Sequence, residues 1–249
     1  MARRLAVLSV LLVLAGCGGQ AGASQATGGV LTVFAASSLQ PAFDKIASQL
    51  DQNVGMTTGF NYLGTQILTA QLQQGAAADV FASADTAHMT TLENAGLLSG
   101  PSKIFAHNRL EIAVQSGNPK GIHTLADLSR AGLVVVLADP SVPAGKYAQQ
   151  ALNMAHVAVH PASLELQVTG VLTKVSLGEA DAGIVYVSDI VTSGQVDGVP
   201  IPDDQNVTAD YPIAVLKSTS NGPGAQAFID LVLSSDGQTI LRAAGFQGV

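Results

Sequence analysis

"VFAASSLQPAF", residues 33–43, joins a hydrophobic run to a second apolar run through two serines, with no charge anywhere in it. Residues 31–35 read as a buried strand, and residues 39–50 place apolar side chains at the three-to-four spacing of a helix. A strand that feeds a helix through a tight polar junction is the building unit of an α/β sheet. The junction Ala36-Ser37-Ser38-Leu39 puts a hydroxyl residue at the helix N-cap, where the first-turn N–H groups have no backbone acceptor. Capping alone explains a serine in that position, but the same end of a helix is a ready site for an anion.

Outward from this junction the alternation continues. Strands are expected at residues 54–60, 79–82, 110–114, 133–137, 182–187 and 211–216, and helices at 66–74, 86–95, 144–153, 168–177, 225–234 and 237–244. Three further helix starts resemble the first. Thr65 stands before a helix in "LGTQIL", Pro143 and Ala144 open one in "DPSVPAGKYAQQAL", and Val168 opens one in "LQVTGVLTKV". Proline belongs in a first helical turn, where its missing N–H is no loss. No junction carries Arg or Lys; Lys146 lies about a turn inside its helix.

The chain before residue 30 reads as an address. Arg3 and Arg4 precede an apolar run over residues 5–14 and then Leu14-Ala15-Gly16-Cys17, the order of a secretory leader. The run is shorter than the roughly 20 residues of a membrane-spanning helix, and no later segment is long and apolar enough to cross. Leu-Ala-Gly-Cys resembles the lipobox of bacterial lipoproteins, which implies lipid attachment at Cys17, the single cysteine of the chain. Residues 1–16 are expected to be the leader and residues 17–29 a Gly/Ala/Ser/Gln tether.

Of 249 residues, 47% are hydrophobic and only 12% charged, enough for a substantial core. Loss of Arg3 and Arg4 with the leader takes the formal charge from −7 to −9, which argues against nucleic acid, held chiefly by Lys and Arg on phosphates. If several helix starts converge, they form a cleft of neutral donors: the hydroxyls of Ser38, Thr65 and Tyr186 with backbone N–H groups. Each helix N-terminus adds roughly half a positive charge, fixed in place. A ring of donors without acceptors favours a tetrahedral dianion that carries no proton, because an unpaired buried donor costs about 1–3 kcal/mol.

"VFAASSL" (33–39), "GAAADVFASAD" (75–85), "DPSVPAG" (139–145) and "GIVYVSD" (183–189), together and in this order, resemble the molybdate-binding proteins of bacterial ABC importers. "YPIAVL" (211–216) and the terminal Gly245-Phe246 extend the likeness over nearly all of residues 31–246. The resemblance implies a type II periplasmic-binding-protein fold: two α/β lobes, a hinge and a ligand cleft between them. The lobes are expected at residues 30–109 plus 213–249 and at 110–212, with hinge closure near 110–114 and 211–216. Carried across by position, the molybdate contacts are Ser38, with Ser37 beside it, then Thr65, Ala144 and Val168 through N–H groups, and the hydroxyl of Tyr186. All five would meet the oxyanion, not the metal itself. Thr65 stands where the family usually has serine; it keeps the hydroxyl on a stiffer side chain. The resemblance further implies molybdate or tungstate as bound ligand with no cofactor, an ABC permease and its ATPase as partners, and no enzymatic activity. It also implies a monomer held by lipid to the outer face of the cytoplasmic membrane. A receptor of the same fold for sulfate or another small anion is the alternative, marked by a basic residue in the cleft. A serine hydrolase would need a histidine near Ser37 or Ser38.

Other residues read more plainly. Asp79 and Asp85 are taken as a loop acid and a helix-starting acid rather than a catalytic pair. His156 and His160 fall at a helix end and in an extended segment, not at metal-ligand spacing on one helix.

Overall fold

The computed structural model describes residues 29–249; the leader, Cys17 and all but the end of the tether lie outside the described residues. Strand β1 (Val30–Ala36) pairs in parallel with β2 (Thr57–Leu63) on one side and β3 (Val80–Ala82) on the other. Its last four residues are all buried, as a parallel strand covered on both faces requires. Helix α1 (Gln40–Val54) carries Pro41 in its first turn and ends at Gly55, whose φ of 65° is left-handed. That cap explains why β2 begins at Thr57, three residues later than expected: residue 54 still belongs to the helix. Phe43 of α1 meets Phe60, Phe105 and Phe228 at ring separations of 5.3–6.3 Å and anchors the core on this side.

After α2 (Thr65–Gln73) and α3 (Thr86–Asn94), β4 (Lys103–Gln115) runs through the whole molecule. Its first part, up to Arg109, pairs antiparallel with β9 (Thr208–Val215), itself beside β3. From Leu110 it pairs instead with β7 (Ala182–Tyr186) and, on its other edge, with β8 (Val196–Pro200). Parallel strands β5 (Val135–Ala138) and β6 (Ser163–Glu165) complete that second half, giving the order β2-β1-β3-β9-β4-β7-β5-β6. Helices α4 (Pro143–Met154), α5 (Val168–Ser176) and α6 (Val187–Ser193) serve the second half. The chain returns through residues 201–207 into β9, and α7 (Gly222–Leu233) and α8 (Ser235–Ala243) close against the first half.

Three elements were not anticipated. β6 has only three residues, too few for a period. β8, "VDGVP", holds glycine and proline and is half exposed at an edge. α6 follows β7 with no intervening loop, because Tyr186 both ends the strand and caps the helix. Its apolar start therefore reads as more strand.

Candidate functional site

The residues singled out by sequence come together. Ser38, Thr65, Ala144, Val168 and Tyr186 all line one small cavity, with Ser37, Gly64 and Ala84 among their neighbours. Ser38 and Thr65 arrive from the first half; Ala144, Val168 and Tyr186 come from the second. No Asp, Glu, His, Lys or Arg among the described residues lines it. A larger groove of about 600 Å³, beside α4 and β6, holds none of these five.

The local geometry corrects one expectation. Ser37 and Ser38 do not cap α1. They sit inside a 3-10 turn (Ser37–Leu39) that leads into it; the turn's own cap position is Ala36 and that of α1 is Leu39, and neither offers a side-chain acceptor. Thr65 is likewise the first residue of α2, with Gly64 as its cap. Ala144 is the second residue of α4 behind Val142 and Pro143, and Val168 opens α5 behind Gln167, whose side chain makes no cap bond. These four helix entries therefore meet the cavity with their first-turn N–H groups uncovered by any side chain. The serine and threonine hydroxyls are free for other work. Ser38 Oγ lies 3.1 Å from the Tyr211 hydroxyl, and Thr65 Oγ1 accepts the Ala84 N–H at 3.2 Å, which leaves its proton available.

Two glycines permit this convergence. A Cβ on Gly64 would clash with the Leu166 carbonyl of the other half. A Cβ on Gly145 would meet the Asp139 carbonyl at 2.1 Å, so only glycine lets the start of α4 sit against the end of β5. Gln66 Nε2 donates to Leu166 O at 2.8 Å, a further bond between the two halves.

Tyr186 is 1% exposed, and its hydroxyl makes no well-formed hydrogen bond among the described residues, with the Tyr211 hydroxyl close beside it. Burial keeps the phenol well above its usual pKa, hence protonated and a donor. Beneath it Asp189, also buried, accepts the Tyr186 N–H at 3.0 Å. Burial pushes that carboxyl up to about 7, against the lowering effect of the Tyr186 bond. Asp189 and Tyr211 were not singled out as site residues, although both stand in the quoted blocks; an aspartate and a tyrosine in apolar segments carry no signal of their own.

The residues read more plainly have structural partners. Asp79 accepts from Thr32 N–H and from Thr219 Oγ1, both at 2.7 Å, and ties β1 to the loop after β9. Asp85 caps α3 through His88 N–H at 2.9 Å and meets His88 Nδ1 at 2.8 Å. Burial raises the Asp85 carboxyl, but the His88 bonds outweigh it and hold the group below its ordinary range. His156 adopts a left-handed φ of 56° after α4, away from the cavity.

Two α/β halves threaded on a strand that changes partners, with helix entries facing one another across a donor-lined cavity, define a solute-binding protein of the type II periplasmic-binding-protein fold. The profile of the bacterial extracellular solute-binding proteins matches residues 31–247. The molybdate-binding protein ModA of Mycobacterium tuberculosis is 43% identical over 249 residues, covering 96% of this chain and 95% of that protein. ModA of Escherichia coli is 30% identical, covering 91% and 92%. Among solved structures, the periplasmic molybdate-binding protein of Azotobacter vinelandii superposes with a TM-score of 0.77 at 20% identity, covering 87% of this chain and 98% of that one. The chain belongs to the bacterial extracellular solute-binding protein family, among its ModA-type members. That family is a class of binders, not of enzymes. No helix among the described residues is long and apolar enough to cross a membrane.

Proposed function

We propose that this chain captures molybdate, with tungstate as its close substitute, and delivers it to an ABC importer, the permease and its ATPase. The observation that carries the reading is the Tyr186 hydroxyl, buried and unpartnered in a cavity lined by no charged residue. An orphan buried donor is costly, about 1–3 kcal/mol, and a guest that brings only acceptors removes the cost. The names of the ModA relatives point to the same guest.

The chemistry follows from the donors. Ser38, Thr65 and Tyr186 give hydroxyl protons, and the entries of α2, α4 and α5 with the turn before α1 give N–H groups. Four helix entries, each equivalent to roughly half a positive charge, offset a double negative charge without any cation. A guest that keeps a proton finds no carboxylate in the cavity to receive it. Because donors come from both halves, the guest binds the closed arrangement more tightly than any open one and shifts the population toward it. The lobes in this reading are residues 30–109 plus 208–249 and residues 110–207. The pairing of β9 from Thr208 onward with Lys103–Arg109 favours this boundary and a return hinge just before that strand, in place of the boundary at 213 and the hinge at 211–216 expected from the sequence. Attachment through lipidated Cys17, with residues 17–29 as tether, would hold a monomeric receptor at the outer face of the cytoplasmic membrane, without catalytic activity.

Thermal unfolding of residues 28–249 with molybdate, tungstate, sulfate or phosphate tests the assignment. A ligand at 100 times its Kd adds about 2.7 kcal/mol, and each kcal/mol raises Tm by about 2–4 °C at this size. Molybdate and tungstate should raise Tm well above sulfate and phosphate. A shift with sulfate alone would transfer the function to the alternative anion, and no shift with any would end the reading.

A further inference from the structure

Tyr211, on β9, is fully buried and touches donors from both halves of the cavity. Its hydroxyl lies 3.1 Å from Ser38 Oγ, and its ring meets that of Tyr186 edge-on, with centroids 5.8 Å apart at 71°. Phe105 and Phe246 pack edge-on against the same ring at 6.2 and 5.3 Å, so it is held in one orientation.

A serine hydroxyl has one proton and two lone pairs. If Ser38 gave its proton to Tyr211, it would show an anion only lone pairs, and the contact would be repulsive. Ser38 donates to a guest when Tyr211 donates to Ser38. Burial keeps the Tyr211 phenol above its usual pKa, so a proton is always there to give. The neighbouring amide of Asn108 does not draw the Tyr211 proton away: its Oδ1 accepts the Arg109 N–H at 2.9 Å, and its Nδ2, which donates to Ser188 Oγ at 2.8 Å, can only donate to Tyr211 as well. Donors in series polarise one another, which strengthens the last one.

We infer that Tyr211 is a positioning residue of the anion site: its hydroxyl donates to Ser38 Oγ and thereby aims the Ser38 proton at the guest. The inference rests on the proposed binding of an oxyanion at Ser38. Tyr211 does not itself line the cavity and acts through the direction of one hydrogen bond.

The test is a double-mutant cycle on molybdate affinity, measured by calorimetry with the wild type, Tyr211→Phe, Ser38→Ala and the pair. Phenylalanine keeps the ring and its three aromatic neighbours and removes only the hydroxyl. Tyr211→Phe should weaken binding roughly three- to tenfold, the worth of one neutral hydrogen bond. In the Ser38→Ala background, where no hydroxyl is left to aim, the same substitution should change affinity less than about twofold. A role in stability alone would lower the ligand-free Tm and cost the same affinity in both backgrounds. Equal losses in the two backgrounds, or no loss from Tyr211→Phe in a wild type that binds molybdate, would overturn the inference. A wild type that binds no tetrahedral anion would instead overturn the function on which it rests.

Discussion

Two kinds of helix start divide this molecule. Helices α3, α7 and α8 begin behind Asp85, Asn221 and Ser234, whose side chains accept the His88, Gly224 and Gly237 N–H groups at 2.9, 3.1 and 3.2 Å. The turn before α1 and helices α2, α4 and α5 begin behind Ala36, Gly64, Val142 and Gln167, and none of these side chains closes its helix. The first kind lies outside the cavity, and the second kind all faces it. A cap and a bound anion compete for the same N–H groups, so a helix that is to hold an anion must go without its cap. The α3 start is instructive because Ala84, just before it, lines the cavity. Its His88 N–H is already taken by the Asp85 carboxylate and so is closed to a guest.

Substitutions at the uncapped set should act on affinity, and at the capped set on stability. The largest effect is expected from Tyr186→Phe and Ser38→Ala. Each removes a hydrogen bond to a charged guest and should weaken molybdate binding by about 1.5–3 kcal/mol in calorimetry. Tyr186→Phe should leave the ligand-free Tm unchanged or raised, since the hydroxyl has no protein partner. A lower ligand-free Tm with intact affinity would make Tyr186 a core residue.

Next is Gly64→Ala, which drives a Cβ to 2.3 Å from the Leu166 carbonyl of the other half. Overpacking of this kind costs about 1–3 kcal/mol. It should fall on closure and hence on affinity, with little change in the melting of ligand-free protein. Unchanged affinity would show that the two halves do not need this approach to hold the guest.

Ser234→Ala probes the other kind of start. Loss of the α8 cap should cost about 1 kcal/mol of stability, seen as a Tm lower by about 2–4 °C, with molybdate affinity unaltered. Any loss of affinity there would blur the division.

The last comparison sets stability against pH. Asp189 has its folded pKa raised to about 7, so the folded state favours the neutral acid. The stability this contributes is complete below the ordinary carboxylate range, near pH 4, and is lost as pH rises from there through about 7. Asn at this position keeps an acceptor for the Tyr186 N–H and cannot ionise. The Tm of Asp189→Asn should therefore decline less between pH 4.5 and 7.5, by about the full contribution of this one group. Parallel Tm curves for the two proteins would show that Asp189 does not titrate in this window.

Much of this was legible in residues 33–43 and the three junctions like them. Strands β1 and β3 and helices α2 to α5 lie close to their expected positions, because each pairs a clear apolar period with a break of glycine, proline or hydroxyl residues. The five expected contact residues line one cavity for the same reason: all stand at or near helix entries after strands or loops. What was not legible depends on long-range contact. β4 looks from Leu110 onward like an ordinary strand, and nothing local says that Lys103–Arg109 pairs with β9, about a hundred residues away. The capping reading of the Ser37-Ser38 junction fails for a related reason. Sequence spacing makes a serine before a helix a cap, and only the 3-10 turn, which begins behind Ala36 and leaves Leu39 in the cap position of α1, frees its hydroxyl.

A crystal structure grown with molybdate, phased at the molybdenum edge, tests the central claim most directly. The anomalous peak should lie among Ser38, Thr65, Ala144, Val168 and Tyr186, with the oxyanion oxygens about 2.7–3.2 Å from the hydroxyl and N–H donors. Molybdenum held by arginine or lysine, or at one of the capped helix starts, would contradict it.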